Sequence, residues 1–126
     1  MKLLLVLLFI ITLLYRCSLI GQKDAIRNFI PGTYIRFSQH EYGTEYDTLV
    51  ISLQNESANE FEIMRKWKYE RILDGTKIAP EYKRVITSAL FHSRDKLLQE
   101  SQTGDVYTFD VNHKLLFKGT TKYQKI

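Results

Sequence analysis

The fold class of this chain is indicated by residues 60–75, which have the sequence EFEIMRKWKYERILDG. Side chains two positions apart lie on the same face of a β-strand. One face of this stretch therefore holds Phe61, Ile63, Arg65, Trp67, Tyr69, Arg71 and Leu73. Asp74 and Gly75 follow directly and predict a tight turn, since glycine accepts positive φ. The 14 residues from Glu60 to Leu73 exceed the usual strand length of ~5–6 residues, so we expect a bend, a bulge or a division near 65–67.

The same two-residue period continues on both sides of this strand. The further predicted strands are Thr33–Ser38, Tyr46–Leu53, Tyr82–Phe91, Lys96–Ser101, Val106–Val111, Lys114–Lys118 and Thr121–Ile126. A loop is predicted at Lys77–Glu81 and a two-residue turn at Asn112–His113, because asparagine and histidine tolerate the left-handed region. About eight short strands at this spacing predict an all-β fold, an antiparallel up-and-down meander that closes into a small barrel.

A short helix is predicted before the first strand, from Gln22 to Ile30. Ala25, Ile26 and Phe29 recur at helical spacing, and Pro31-Gly32 ends the helix. A helix of this length is unstable alone, so it is expected to pack against the β domain. We assign residues 22–126 to this single domain.

Residues 1–21 have the composition of an export leader. Lys2 precedes an apolar run of 12 residues, Leu3 to Leu14. The apolar region of a signal peptide spans about 7–15 residues, whereas a membrane-spanning helix needs about 20. Length therefore favours a signal peptide, and Arg16 supports this because a charge is costly in hydrocarbon. An uncleaved anchor whose helix extends to Ile20 is the alternative.

The processing site stays open between two routes. Gly21 suits cleavage after it, although Leu19 is large for its position. Cys17 follows the apolar run, as does the lipidated cysteine of bacterial lipoproteins. Leu14 fits that pattern and Arg16 departs from it. Cys17 is thus a candidate lipid anchor, and the mass of the mature N-terminus would distinguish the cleaved, lipidated and anchored forms.

Composition limits the function classes. Cys17 is the only cysteine, so the domain after the leader has no internal disulfide and depends on its core for stability. Lys2 and Arg16 belong to the leader, and 16 basic residues then face 14 acidic ones, a net charge of +2. This small excess argues against a nucleic-acid partner.

The chain contains no recognisable catalytic or metal-binding motif. The three histidines, His40, His92 and His113, lie at strand ends or turns without the short spacing of zinc ligands. Carboxylates are plentiful (Glu41, Glu45, Asp47, Asp105, Asp110), but the sequence does not reveal a pair. There is no Gly-x-Ser-x-Gly motif, no thiol after the leader and no glycine-rich phosphate loop. We therefore expect no enzyme, no cofactor and no metal.

Two groups of residues are candidates for ligand or partner contact. Tyr42 and Tyr46 lie in a predicted Glu41–Asp47 loop, where tyrosine offers both ring area and a hydroxyl. The second group is Arg65, Trp67, Tyr69 and Arg71 of the long strand. If these four face inward, they line a polar or anionic pocket. If they face outward, they form a solvated face with cation–π pairs, and we favour a structural role for them over a binding role.

The segment Ile30-Pro31-Gly32-Thr33-Tyr34 resembles the start of the lipocalin-like proteins of the bacterial envelope, in which a short helix precedes a Gly-x-aromatic opening of the first strand. Thr103–Asp110 is similar to one of their later hairpin strands. The resemblance extends from Gln22 to Ile126, and Tyr34 stands where lipocalins usually have tryptophan. It implies a lipocalin-like barrel and transfers no binding residue.

These observations predict an exported, non-enzymatic protein of the bacterial periplasm or cell envelope, tethered at or near a membrane through its N-terminus. Its expected role is a binding or interaction module for an envelope protein. The alternative is a carrier of a small apolar ligand in a cavity lined by Phe61, Ile63, Trp67 and their neighbours. A barrel interior filled by side chains would rule the carrier out. The sequence does not indicate an oligomeric state.

Overall fold

The computed structural model describes residues 1–7, 9–10 and 25–126. Residues 2–7 and 9–10 are helical, and a second short helix spans 25–29. The strands are β1 (Gly32–His40), β2 (Gly43–Asn55), β3 (Glu60–Leu73), β4 (Thr76–Lys77), β5 (Glu81–His92), β6 (Leu97–Glu100), β7 (Val106–Asp110), β8 (Leu115–Lys118) and β9 (Thr121–Lys125). The predictions for Cys17, Gly21 and the start of the second helix lie outside the described residues. In the part of the chain that is described, no helix is long and apolar enough to cross a bilayer.

The strands form one antiparallel sheet that closes on itself. Its order is β2-β1-β9-β8-β7-β6-β5-β3, and β3 pairs with β2 to complete an eight-stranded barrel. β4 adds only two residue pairs at the end of β3. The predicted antiparallel up-and-down barrel, preceded by a short helix, is thereby confirmed.

The barrel closes at a short seam between β1 and β9. Only Tyr34–Lys125 and Ile35–Gln124 pair there, and the Ile126 amide donates a further hydrogen bond to the Thr33 carbonyl at 3.0 Å. The Lys125 ammonium extends the seam to the helix by donating to the Phe29 carbonyl. The first and last strands are thus joined by few backbone pairs, and Lys125 links the last strand to the helix.

Alternate residues of every barrel strand fill the interior. The core side chains are Ile30, Tyr34, Leu49, Ile51, Phe61, Ile63, Ala89, Phe91, Leu98, Tyr107, Leu116 and Tyr123. The helix at 25–29 covers one end, where Ile26 and Phe29 pack against this core. The Tyr34 hydroxyl donates to the carbonyls of Phe29 (3.0 Å) and Ile30 (2.8 Å), which fixes the helix in place.

Four strands continue past the opposite end of the barrel. β6 pairs only with Ala89–His92 of β5, and β9 pairs only with Tyr34 and Ile35 of β1. Beyond those points the four strands, β1, β2, β3 and β5, pair with one another, and β4 adds pairs at Ile72 and Leu73 of β3. We name this four-stranded extension the projecting sheet, and it comprises residues 36–40, 43–48, 65–71 and 81–86.

Three local predictions are wrong. β3 is one unbroken strand, and the irregular register lies between Leu53 and Asn55 of β2 instead of near residues 65–67. The predicted Glu41–Asp47 loop is a turn at residues 41–42, so Tyr46 belongs to β2. The turn at Asn112–His113 covers residues 111–114, and Lys114 takes the positive φ of 55°. In each case, pairing with a neighbouring strand determines the local conformation.

Candidate functional site

The projecting sheet begins at an ion pair between a buried carboxylate, Asp47, and a partly exposed guanidinium, Arg65. Asp47 is 1% exposed and accepts two hydrogen bonds from Arg65, from Nε at 2.9 Å and from a terminal nitrogen at 2.7 Å. The Tyr123 hydroxyl donates to the same carboxylate at 2.8 Å. The hydrogen bond to Asp47 raises the pKa of Arg65 above its ordinary value. Arg65 is therefore held in one orientation and stays charged.

A second buried carboxylate, Glu100, lies in the barrel. It accepts hydrogen bonds from the hydroxyls of Thr87 (3.1 Å) and Tyr107 (2.7 Å), and also from Thr103. Burial, followed by the hydrogen bond to Glu100, raises the pKa of Tyr107 well above its ordinary value. These contacts satisfy the carboxylate and give the barrel a rigid polar layer.

The inner face of the projecting sheet carries a stack of rings. Trp67 and Tyr69 lie nearly parallel, with ring centroids 5.6 Å apart, and His40 stacks on Tyr69 with centroids 6.1 Å apart. The Arg71 guanidinium lies 5.9 Å from the Tyr69 centroid. Glu45 accepts a 2.6 Å hydrogen bond from Nε1 of Trp67. The indole is thereby fixed both by stacking and by a polar contact.

Gly43 makes this packing possible. A Cβ at this position would meet the Tyr69 ring at 2.9–3.0 Å and would come still closer to the Glu70 carbonyl oxygen. A side chain there would displace Tyr69 or separate β2 from β3. The stack therefore depends on a residue without a Cβ.

A slot lies next to the stack on the inner face. It has a volume of about 320 Å³ and is lined by Glu45, Arg65, Trp67, Lys83 and Val85. Trp67 and Lys83 are directly opposite in the register of β3 and β5. The slot thus combines an aromatic wall with two cations and a carboxylate.

The outer face has a different character. Tyr46, Lys68 and Tyr82 are aligned across β2, β3 and β5, and the Lys68 ammonium lies 5.3 Å and 6.0 Å from the two tyrosine centroids. Phe37 of β1 extends the row, with its ring centroid 5.1 Å from that of Tyr46. Lys68 also pairs with Glu70 at 2.9 Å, and this hydrogen bond raises the pKa of Lys68 and lowers that of Glu70.

An open groove of about 590 Å³ runs along this row. Its lining residues are Tyr46, Thr48, Lys66, Trp67, Lys68, Tyr82, Lys83 and Arg84. We name the exposed surface made by Phe37, Tyr46, Lys66, Lys68, Tyr82 and Arg84 the outer aromatic–basic face. Trp67 and Lys83 border both this groove and the inner slot.

The structure divides the residues predicted from sequence between two surfaces. Arg65, Trp67, Tyr69 and Arg71 share the inner face, as the two-residue period required. Tyr46 lies on the outer face, and Tyr42 is exposed at the turn between β1 and β2. The six candidates therefore do not form one site.

Sequence reasoning missed several residues of these surfaces. On the inner face they are Glu45, Asp47 and Lys83, and on the outer face they are Lys68 and Tyr82. Glu45 and Asp47 lie four and two positions before the buried Leu49, so the strand period already indicated an inward direction. The sequence could not place Lys83 beside Trp67 or Tyr82 beside Lys68, because the register of β5 against β3 cannot be read from either strand alone.

Two of the residues predicted to line a carrier's cavity belong to the hydrophobic core, since Phe61 and Ile63 are each 1% exposed. Phe61 also borders a pocket of about 140 Å³, together with Arg27, Pro31 and Leu53. Trp67, the third predicted lining residue, lies on the projecting sheet. The three residues are therefore divided between the core and the projecting sheet.

The histidines are separate from one another. His40 stacks on Tyr69, and His113 contacts Asp110 through Nδ1 at 2.8 Å. Within the described residues, no three histidine, cysteine, aspartate or glutamate side chains are grouped so as to hold a metal ion.

Comparisons with protein-family models, with curated proteins and with solved structures found no match for this chain. The fold defines the class as a closed antiparallel barrel of eight strands. The two faces of the projecting sheet carry the candidate contact surfaces, the outer groove and the inner slot.

Proposed function

We propose that this protein is an exported, non-enzymatic binding module of the bacterial cell envelope, and that it contacts an envelope protein through the outer aromatic–basic face. The observation that carries the proposal is the row Phe37–Tyr46–Lys68–Tyr82, which crosses four strands. Its rings are open to solvent, with Phe37 57% and Tyr82 73% exposed. A solvent-facing side of an antiparallel sheet is ordinarily polar, so an aromatic row there indicates a contact surface.

The rings and the arginine of this face are residue types common at protein interfaces, whereas lysine, which it holds twice, is depleted there. Aromatic residues and arginine are enriched at such interfaces, and tyrosine is a frequent energetic anchor. Ile35 and Ile86 continue the exposed apolar area beyond the row. The fixed strands reduce the ordering cost of binding, because the side chains stand on a paired sheet and not on a loop.

The charges of the face indicate an acidic partner. Lys66, Lys68 and Arg84 lie along the groove, and Glu70 is paired with Lys68. Complementary charge steers association and selects against partners of like charge. We therefore expect carboxylates around an apolar or aromatic patch on the partner.

The position of the face suits a tethered protein. The helix at 25–29 covers the opposite end of the barrel, where Arg27 donates to the Glu56 carbonyl at 2.7 Å. From residue 61 to residue 71, β3 extends about 33 Å at ~3.3 Å per residue. A tether preceding the helix would hold that end towards the membrane and leave the projecting sheet free for a partner.

The proposal predicts site-specific crosslinking in intact cells of the natural host. The full chain carries a photo-crosslinking residue at Tyr46, at Tyr82 or, as a control, at the exposed Gln99 of β6. We expect one discrete envelope protein to be captured from positions 46 and 82 and not from 99. Tyr82→Ala should weaken the isolated complex by about tenfold, which corresponds to the loss of one interface anchor.

Capture of the same products from all three positions would contradict a specific surface, and so would the absence of any product from 46 and 82. Tyr42→Ala tests whether the turn between β1 and β2 contributes to binding independently of the aromatic row. It lies outside the outer aromatic–basic face, so a loss of binding as large as that of Tyr82→Ala would move the contact to the tip of the β1–β2 hairpin.

A further inference from the structure

The inner slot has the features of a small-molecule site. Its volume of about 320 Å³ is at the lower end of the range for such sites, ~300–1,000 Å³. It accommodates one or two six-membered rings. Because it lies on the opposite face of the sheet from the row of tyrosines, both surfaces can be occupied together.

One wall of the slot is a preorganised aromatic surface. Trp67 lines the slot, and Tyr69 stacks against its indole. Glu45 fixes the ring through Nε1 at 2.6 Å. A ligand that stacks here meets a rigid surface and loses little free energy to side-chain ordering.

The other walls supply charged hydrogen-bonding groups. Arg65 is 40% exposed although two of its nitrogens bind Asp47, so the remaining N–H groups are free to donate. No carboxylate of the described chain lies within 4.0 Å of the Lys83 ammonium. Glu45 offers its second oxygen as an acceptor. Hydrogen bonds from or to charged groups are roughly twice as strong as neutral ones.

These charges cancel within the slot. Two cations, Arg65 and Lys83, meet two carboxylates, Glu45 in the lining and Asp47 behind Arg65. Arg36, directly opposite Asp47 on β1, is not among the residues that line the slot. An ion of either sign gains little electrostatic binding free energy in such a site. A neutral ring with several hydroxyls gains from all three polar groups, and the apolar C–H face of the ring stacks on the indole.

We propose that the slot formed by Glu45, Arg65, Trp67, Lys83 and Val85 binds one ring of an uncharged saccharide. The ring stacks on Trp67, Arg65 and Lys83 donate to its hydroxyl oxygens, and Glu45 accepts from a hydroxyl. This site differs from the protein contact proposed above and does not depend on it.

Trp67 is the only tryptophan of the chain and borders both the slot and the outer groove, so its fluorescence detects binding and the variants below assign that binding to one surface. The purified full chain is titrated with N-acetylglucosamine, with its β1,4-linked trimer and with maltotriose. Glucuronate and glycine betaine serve as charged probes. We expect a saturable shift of the emission with at least one neutral saccharide, with a Kd of about 0.1–10 mM, and little change when NaCl is raised.

Variants separate the slot from the outer face. Lys83→Ala should weaken saccharide binding by about tenfold through the loss of one charged hydrogen bond. Glu45→Ala should do the same, and Glu45 lines the slot but not the outer groove, so its effect belongs to the slot. Lys66→Ala is the matched control, because Lys66 lies on the neighbouring strand but on the outer face, and it should leave the Kd unchanged. Saturation-transfer NMR repeats the titration with Trp67→Ala, for which binding should disappear while circular dichroism shows the barrel intact.

Two results would overturn the proposal. One is the absence of a saturable response by fluorescence and NMR for every neutral saccharide up to about 50 mM. The other is tighter binding of glucuronate or betaine than of the neutral rings. Failure of the crosslinking experiment would leave this result untouched, because that experiment probes the opposite face.

Discussion

The Asp47 carboxylate is the residue that joins the barrel to the projecting sheet. It lies on β2 and binds Arg65 of β3 and Tyr123 of β9. A buried carboxylate is stable only when its oxygens are hydrogen-bonded, and three donors meet this requirement here. The same contacts orient Arg65 towards the inner slot, so one residue serves both stability and site geometry.

Asp47→Asn is expected to destabilise the domain by about 2–3 kcal/mol, since it removes a charged acceptor shared by three hydrogen bonds, two partly buried and one buried. The partial exposure of Arg65 limits the cost, because water can solvate the released guanidinium. Urea unfolding of both proteins measures the difference.

Asp105→Asn is the control for this measurement. Asp105 pairs with Lys118 at 3.2 Å and is 40% exposed, so its substitution should cost less than about 1 kcal/mol. Equal effects of the two substitutions would show that Asp47 has no special role.

The strands differ in length, and this difference creates the site. β2, β3 and β5 have 13, 14 and 12 residues, whereas β6 and β8 have four each. The short strands suffice to enclose the core. The surplus length of the long strands extends beyond the barrel with both faces exposed, which is where the aromatic and charged side chains lie.

The seam between β1 and β9 has only two residue pairs, as does the junction between β6 and β7. Lys125 supports it through the Phe29 carbonyl and through the Phe29 ring, whose centroid is 4.1 Å from the ammonium. Burial, and to a smaller extent the charge of Lys114, lowers the pKa of Lys125. The remaining contacts of the ammonium offset this desolvation.

Lys125→Met keeps the aliphatic stem and removes the ammonium. We expect a loss of about 1–2 kcal/mol in the free energy of unfolding, from one charged hydrogen bond and two cation–π contacts, with Phe29 and Tyr34. Hydrogen exchange should accelerate in the helix at 25–29 and at residues 33–35. Lys122→Met, on the exposed side of the same strand, should change neither quantity, and an equal effect of the two would place the stability of the seam elsewhere.

Three buried tyrosines make the stability of the whole barrel depend on pH. Burial raises the pKa of Tyr34, Tyr107 and Tyr123 well above the ordinary value of 10. They stay protonated in the folded state while the unfolded chain ionises above that pH. Their contribution to stability is therefore complete below about pH 10 and is lost as pH rises towards the folded pKa values.

Above pH 10, each of these tyrosines is expected to lower the free energy of unfolding by roughly 1.4 kcal/mol per pH unit. Urea unfolding between about pH 8.5 and pH 11.5 measures the slope. Tyr107→Phe should reduce this slope by one tyrosine's share, and Tyr82→Phe should not, because Tyr82 is exposed. An unchanged slope for Tyr107→Phe would show that its hydroxyl ionises as readily in the folded barrel as in the unfolded chain.

Local periodicity was sufficient to predict the strands and the faces within each one. It put Arg65, Trp67, Tyr69 and Arg71 on a common face, because successive side chains of any strand alternate. It also gave the number of strands and the antiparallel meander. It failed where a neighbour decides the conformation, as for residues 43–45, which were predicted as loop and lie in β2 because β1 and β3 pair on either side of them.

The sequence by itself determined an all-β chain of about eight antiparallel strands after a short helix, since hydrophobic alternation and turn residues are local properties. Only the tertiary structure decided which face was inner, how far the four long strands outrun the barrel and which charges meet across them. Those features depend on the register between strands distant in sequence, such as Asp47 with Tyr123 and Trp67 with Lys83. Register is set by the packing of the whole core, so no single segment contains it.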